Sequence, residues 1–353
     1  MINFEEGDIE SITSLAKQVA MPHVKRDFEE NGENDLIQLN RIIREIYKYV
    51  APETIDELLV LNCSLDSKDL NFSNSGTTPI EINRISSLTE VELSGATIQI
   101  VRNDLILLYQ DEIVDIELTR EKSIIYHFKY GNEKYILRTD EVVIPSPSTF
   151  PSYFAIPTYK TLDTALESYY NKRAKSSNCP LLKDSWFDVD RIFFKQKPES
   201  YHRTSLYRFL DITLRAEVSE EQNVDDTQPV DIKVSWNFTN HLALIEIKWL
   251  GKSIKEDRSS FTSIYNNARA QEGYNQIINY MDIGKDRFFD KQSIGYLVVF
   301  DGRRYQTGLD TTVISQQNGF HYQSEEPTYD PDPNSLQNIK PPVRFFMEPI
   351  CNG

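Results

Sequence analysis

Two apolar runs, "PVDIKVSW" (229–236) and "HLALIEIKWL" (241–250), lie so close together that the chain can do little but fold one back on the other. Only "NFTNH" (237–241), whose last residue opens the second run, joins them, which predicts an antiparallel hairpin. Each run carries charge where a buried strand would take valine: Asp231 in the first arm, Glu246 and Lys248 in the second. Residues two apart in a strand share a face, so Glu246 and Lys248 project together while Ile245, Ile247 and Trp249 point the other way. The hairpin then sets the Asp231 carboxylate beside that of Glu246. A solvent-facing hairpin would also carry alternating charge, with Glu246 and Lys248 simply paired. The near-continuous run "LALIEI" speaks against that reading, because a charge on a strand buried on both faces is costly.

Adjacent carboxylates repel and raise each other's pKa, so a bare pair is unfavourable. A hard divalent cation removes that penalty, and Mg²⁺ needs only one or two carboxylates together with water and phosphate oxygens. A lysine alongside can position a water and balance charge that develops on phosphorus, which suits phosphodiester hydrolysis.

The flanking segments can be placed in order. "PESYHRTSLYRFL" opens with Pro198 at a helix start and sets Tyr201, Leu206, Phe209 and Leu210 toward one side. "ITLRAEVSE" predicts a strand and "EQNVDDTQ" an acidic connector. After the hairpin, "SSFTSIYNNARAQEGYNQIINYM" predicts one long helix and "SIGYLVVF" a closing strand. On that helix Arg269, Glu272, Gln276 and Tyr280 fall on one face, beside an apolar stripe of Ala270, Tyr274, Ile277 and Met281.

This constellation resembles the PD-(D/E)xK nuclease superfamily. Pro229-Val230-Asp231 matches the first half of its motif with one residue between Pro and Asp, and Glu246-Ile247-Lys248 matches the second half in full. The α-β-β-β-α-β order matches too, as does the Gln-x-x-x-Tyr element in Gln276 and Tyr280. The match covers about residues 198–300. The resemblance implies that Asp231 and Glu246 bind metal, that the Ile247 carbonyl adds a ligand, and that Lys248 orients or activates water. It also implies a further acid, Glu217 first and Glu199 second. Gln276 would join the catalytic group and Tyr280 the nucleic-acid side, although an i, i+4 pair can equally be plain surface. Lys252 and Lys255, just beyond the motif strand, are phosphate contacts on this reading. The five histidines are scattered without ligand spacing, which points to core or surface roles.

Elsewhere the chain is less explicit. Residues 1–50 read helical, with Ile37, Ile42, Ile43, Ile46, Tyr47 and Val50 near a 3.6-residue period and Asn34 or Asp35 as a cap. Residues 55–145 read as short strands of an antiparallel sheet, including one drawn through "DLILLYQDEIVDIELT" (104–119). "PSPSTFPSYFAIP" (145–157), rich in proline, reads as a linker. Charge divides unevenly: residues 1–150 carry 14 Lys and Arg against 27 Asp and Glu, residues 151–353 carry 24 against 27. The second half can therefore hold a local basic path for phosphates. Three separated cysteines without a CxxC pair, no membrane-spanning run and no signal-peptide pattern point to a cytoplasmic protein.

The expectation is an α+β N-terminal region (1–150) for recognition or assembly, followed by an α/β restriction-endonuclease-like C-terminal domain (151–353). That domain would carry the α-β-β-β-α-β core as a mixed sheet flanked by helices. The function implied is an Mg²⁺-dependent endodeoxyribonuclease, with Mn²⁺ as a substitute ion, in a restriction, phage-defence or mobile-element system. Nucleic acid, foremost DNA, is the expected partner, with a homodimer or a larger defence complex as the assembly. The alternative is a catalytically silent nuclease-fold subunit that binds nucleic acid or acts as a scaffold within such a complex.

Overall fold

The structure, a computed structural model, describes residues 6–63, 79–101, 105–110, 115–145, 151–223, 229–287 and 291–351. The chain forms two compact units: Met1–Lys160 with Phe238–His241 and Phe289–Gln292, and the remainder. Both are mixed α and β structures, each built on a mixed sheet flanked by helices. Among the described residues no helix is long and apolar enough to cross a membrane.

The first unit begins with a helical segment, α1 (Glu6–Tyr49), interrupted at Glu29, whose φ is 56°. It runs straight through Asn34 and Asp35, so neither caps a helix start. The apolar stripe had already begun at Ala20 and Val24, both buried, and only Ile37 of the expected stripe faces solvent. Leu39, Ile42, Ile43, Ile46 and Tyr47 pack with one face of a sheet, supplied by Leu58, Val60, Ile98 and Tyr126.

Among the described residues that sheet has seven strands: β1 (Glu57–Cys63), β2 (Ile80–Ile82), β3 (Ala96–Val101), β4 (Leu105–Tyr109), β5 (Ser123–Lys129), β6 (Asn132–Ile136) and β7 (Glu141–Ile144). Their order is β2-β4-β3-β1-β5-β6-β7. The sheet is not wholly antiparallel, since β1 and β3 run parallel. Period-two alternation marks a strand but carries no direction, and the long excursion between β1 and β3 is what a parallel return requires. The strand expected across 104–119 ends at Tyr109, and Ile116–Arg120 forms a short helix, α2. Asp115 caps it, its side chain accepting from the amides of Glu117 and Leu118.

The Pro-rich stretch is only partly a linker. Residues 146–150 lie outside the described residues, but 151–155 are buried in the first unit. Ser152 donates its hydroxyl to buried Glu133 at 2.6 Å, and the Tyr153 amide and the Tyr126 hydroxyl donate to the same carboxylate. Burial pushes the Glu133 pKa up, and these three donors offset part of that effect.

The second unit contains α3 (Tyr159–Tyr169, continued as a π-turn to Ala174), α4 (Pro180–Ser185) and α5 (Pro198–Thr213). There follow β8 (Glu217–Asn223), β9 (Pro229–Ser235), β10 (His241–Ile254), β11 (Phe261–Tyr265), α6 (Asn267–Arg287), β12 (Gln292–Asp301), a short helix α7 (Gln316–Gly319) and β13 (Val343–Phe346). The sheet order is β13-β12-β10-β9-β8, with β11 added to β10. The predicted order of elements is present with one insertion. What read as the start of the long helix is strand β11, and α6 begins only at Asn267, where Asn266 accepts from the Ala268 amide. Part of the expected acidic connector, 224–228, lies outside the described residues.

At the end of β12, buried Asp301 gathers two arginines. Arg303 and Arg344 donate to it at 2.7 and 2.8 Å, and they reach onward to Glu325 and Glu326. This ionic knot fastens the Pro- and Asp-rich segment before β13 to the sheet.

Candidate active site

The expected hairpin is present. β9 and β10 pair antiparallel from Leu242↔Ser235 to Ile245↔Ile232, and the next residues, Asp231 and Glu246, are close enough to act on each other's charge. There the Asp231 side chain replaces a ladder bond, accepting from the Ile247 amide at 2.8 Å. Its other oxygen accepts from Arg203 of α5 at 3.2 Å. Glu246 and Lys248, each 3% exposed, sit side by side on a strand in the interior of the sheet, and Lys248 Nζ donates to Glu246 Oε1. The solvent-facing alternative for this hairpin is thereby overturned. On the opposite side of β10, Trp249 packs edge-on to Phe194 and Tyr265.

Burial and the nearby Asp231 carboxylate push the Glu246 pKa well above the usual carboxylate range, against the pull of Lys248. Glu246 Oε2 is buried without a hydrogen-bond partner. Glu199, in the first turn of α5, belongs to the same electrostatic cluster. Burial raises its pKa, and Lys248, Asp231, Arg269 and Arg203 all act on it. Its carboxylate lies 3.7 Å from Arg269 of α6, which also bonds exposed Glu272 at 2.8 Å and lies over the Tyr265 ring.

Helix α6 covers this face of the hairpin through Ala270, Tyr274, Ile277 and Met281, the stripe read from the sequence. It approaches closely because residue 273 is glycine. A Cβ there would run into Lys248 Cγ and stand 2.9 Å from Leu297 Cδ1. Gly273→Ala gains about 1 kcal/mol of helix propensity. It loses about 1–3 kcal/mol to overpacking and shifts the lysine stem. Chemical denaturation is expected to show a net loss of up to about 2 kcal/mol.

The other expected site residues divide. Gln276 lies one turn beyond Gly273, and its amide oxygen is buried with no hydrogen-bond partner, so it is not plain surface. Tyr280 is not a nucleic-acid contact: it is 2% exposed, and its hydroxyl donates to the Pro229 carbonyl, pinning the start of β9. Glu217 is exposed and pairs with Ser235, four residues along β9 from Asp231, a separation of roughly 13 Å. It does not reach the cluster; Glu199 is the acid that does. Lys252 is half-buried and held by Thr307, its ammonium 2.5 Å from the carbonyl, whereas Lys255 is exposed in the β10–β11 turn. His202 stacks on Phe300 in the core, and burial lowers its pKa to about 3.

Arg203 and Arg269 escaped the sequence reading as site residues. Arg203 was legible, since "ESYHR" places Glu199 and Arg203 one helical turn apart.

The donor set suits a hard cation. Asp231, Glu246 with its unpartnered Oε2, and the Ile247 carbonyl would hold it, with water and phosphate oxygens completing the shell. Among the described residues no group of three or more His, Cys, Asp or Glu forms a ligating set. Two carboxylates therefore have to suffice, and Mg²⁺ commonly takes one or two. No protein-family model, no curated protein and no solved structure matches this chain.

Proposed function

We propose that the protein is a metal-dependent nuclease of the PD-(D/E)xK type that hydrolyses phosphodiester bonds. DNA is the substrate and a restriction, phage-defence or mobile-element system the setting. One observation carries the reading: two acids and a lysine, nearly excluded from solvent, share one face of a central hairpin, and one carboxylate oxygen there lacks any partner. Burying such a group is costly unless something pairs with it.

A bound divalent ion would supply charge neutralisation at the scissile phosphate. Asp231 and Glu246 would hold that ion, Glu246 as the carboxylate left once its proton passes to solvent. Lys248, released from Glu246, would meet the attacking water and the developing negative charge, at a site dry enough to strengthen both interactions. Gln276, with its buried unpartnered amide oxygen, would orient the same water.

The test is incubation of plasmid, single-stranded DNA and RNA with Mg²⁺, Mn²⁺ or EDTA from pH 6 to 9. Cleavage is expected only with metal, and its rate is expected to climb with pH until Glu246 is ionised. The sign follows from the raised pKa. The unfolded chain releases this proton near 4.5 while the fold retains it to higher pH. The contribution to stability therefore falls as pH rises through the folded-state pKa, while metal affinity increases. Cleavage in EDTA, or a rate that falls across this range, would count against the proposal.

A second reading, the silent nuclease-fold subunit serving as a binding or scaffold component, draws on a different observation. Both Asp231 oxygens already accept internal hydrogen bonds. Absence of cleavage on every substrate, with metal present, would favour it.

A further inference from the structure

In the ion-free cluster each acid lies against a cation: Asp231 against Arg203, Glu246 against Lys248, and Glu199 against Arg269. Glu272 at the exposed rim shares Arg269. Both Asp231 oxygens already accept, one from the Ile247 amide and one from Arg203, so an ion that takes Asp231 as a ligand has to displace one of these donors. The amide is fixed in β10, whereas a cationic side chain left beside the ion is repelled, since like charges at contact distance in a low dielectric repel strongly. A resident cation has to give way. Lys248 is enclosed by Gly273 and Leu297, with 4% of its side chain exposed. Arg203 is the more accessible, with 20% of its side chain exposed, and its guanidinium lies 3.2 Å from Asp231 Oδ1.

Resting on the metal-site reading above, we infer that Arg203 is a built-in competitor of the divalent ion. Its guanidinium neutralises Asp231 while the site is empty of metal and must leave that carboxylate when the ion binds. Arg203 thus sets the metal threshold of the site: it stabilises the ion-free fold and weakens the ion's hold. A merely structural arginine would give the first effect without the second.

Isothermal titration of the full chain with Mn²⁺, without nucleic acid, tests this, beside thermal unfolding in EDTA. Arg203→Gln is expected to bind Mn²⁺ about tenfold more tightly than the wild type. The same variant is expected to unfold at lower temperature in EDTA and to gain more from added Mn²⁺. Arg203→Lys keeps the charge and should bind like the wild type, whereas Asp231→Asn should bind far more weakly. Arg203→Met, which preserves the packed stem, replaces the amide variant should that one not fold. Equal affinity in Arg203→Gln and the wild type, with Asp231→Asn impaired, overturns the competition and leaves the metal site standing. No Mn²⁺ binding by the wild type or by Arg203→Gln overturns both.

Discussion

Lys248→Ala is expected to slow metal-dependent cleavage by about 10³-fold, the scale of losing a positioned group that both orders a nucleophile and meets developing charge. The fold is expected to survive. Removing the ammonium leaves Glu246 without its cation, but burial and Asp231 already bias that carboxyl toward its neutral form. Protonation relieves what would otherwise be an uncompensated buried charge. The space vacated beside Gly273 is a cavity of a few methylenes, a modest cost. Single-turnover cutting of plasmid, beside circular dichroism of the same preparation, separates the two effects. A folded variant that cuts at the wild-type rate would remove Lys248 from the mechanism and leave any cleavage to another group or to a contaminant.

The second large effect lies away from the site. Asp301→Ala is expected to cost about 3–5 kcal/mol, because it strands two arginine side chains that are only 7% and 5% exposed. Arg303 keeps Asn267 and Glu325, and Arg344 keeps Glu326 and the Tyr322 and Gln323 carbonyls, so the loss falls short of two orphaned charges. Urea unfolding measures it directly. A change below about 1 kcal/mol would mean that these remaining acceptors suffice and that Asp301 is dispensable. The residue stands at the end of β12, and Arg303, two residues on, also bonds Asn267 at the start of α6. Mn²⁺ titration of any folded fraction would show whether the damage stays local.

Much of the hairpin was legible because it is a local object. Asp231, Glu246 and Lys248 are separated by a short turn, and strand periodicity alone assigns their faces. Helix α6 was legible in its buried stripe, since Ala270, Tyr274, Ile277 and Met281 obey one period. Its start was not, because "SSFTSIY" carries little to separate a strand from a helical turn until its partner β10 is in place. Glu217 and Glu199 show the limit more sharply. Choosing between them requires the β8–β9 register and the placement of α5, both set by tertiary packing rather than by pattern. The same holds for Tyr280: a helical wheel put it on a polar face, but whether a tyrosine hydroxyl meets solvent or a backbone carbonyl depends on where Pro229 lies. The parallel pairing of β1 and β3 was hidden for a related reason, as strand direction is a property of the connection.

The seam at the proline-rich stretch has a practical consequence for dissecting the molecule. Severing the chain at residue 150 would carry Ser152 and the Tyr153 amide away with the downstream fragment, leaving the Glu133 acid with the Tyr126 phenol as its one remaining donor from that trio. The upstream piece would then have to protonate that acid or admit water beneath its own sheet. A boundary drawn where composition changes would thus injure the half it was meant to release, whereas one near Lys160 keeps the acid and its donors together.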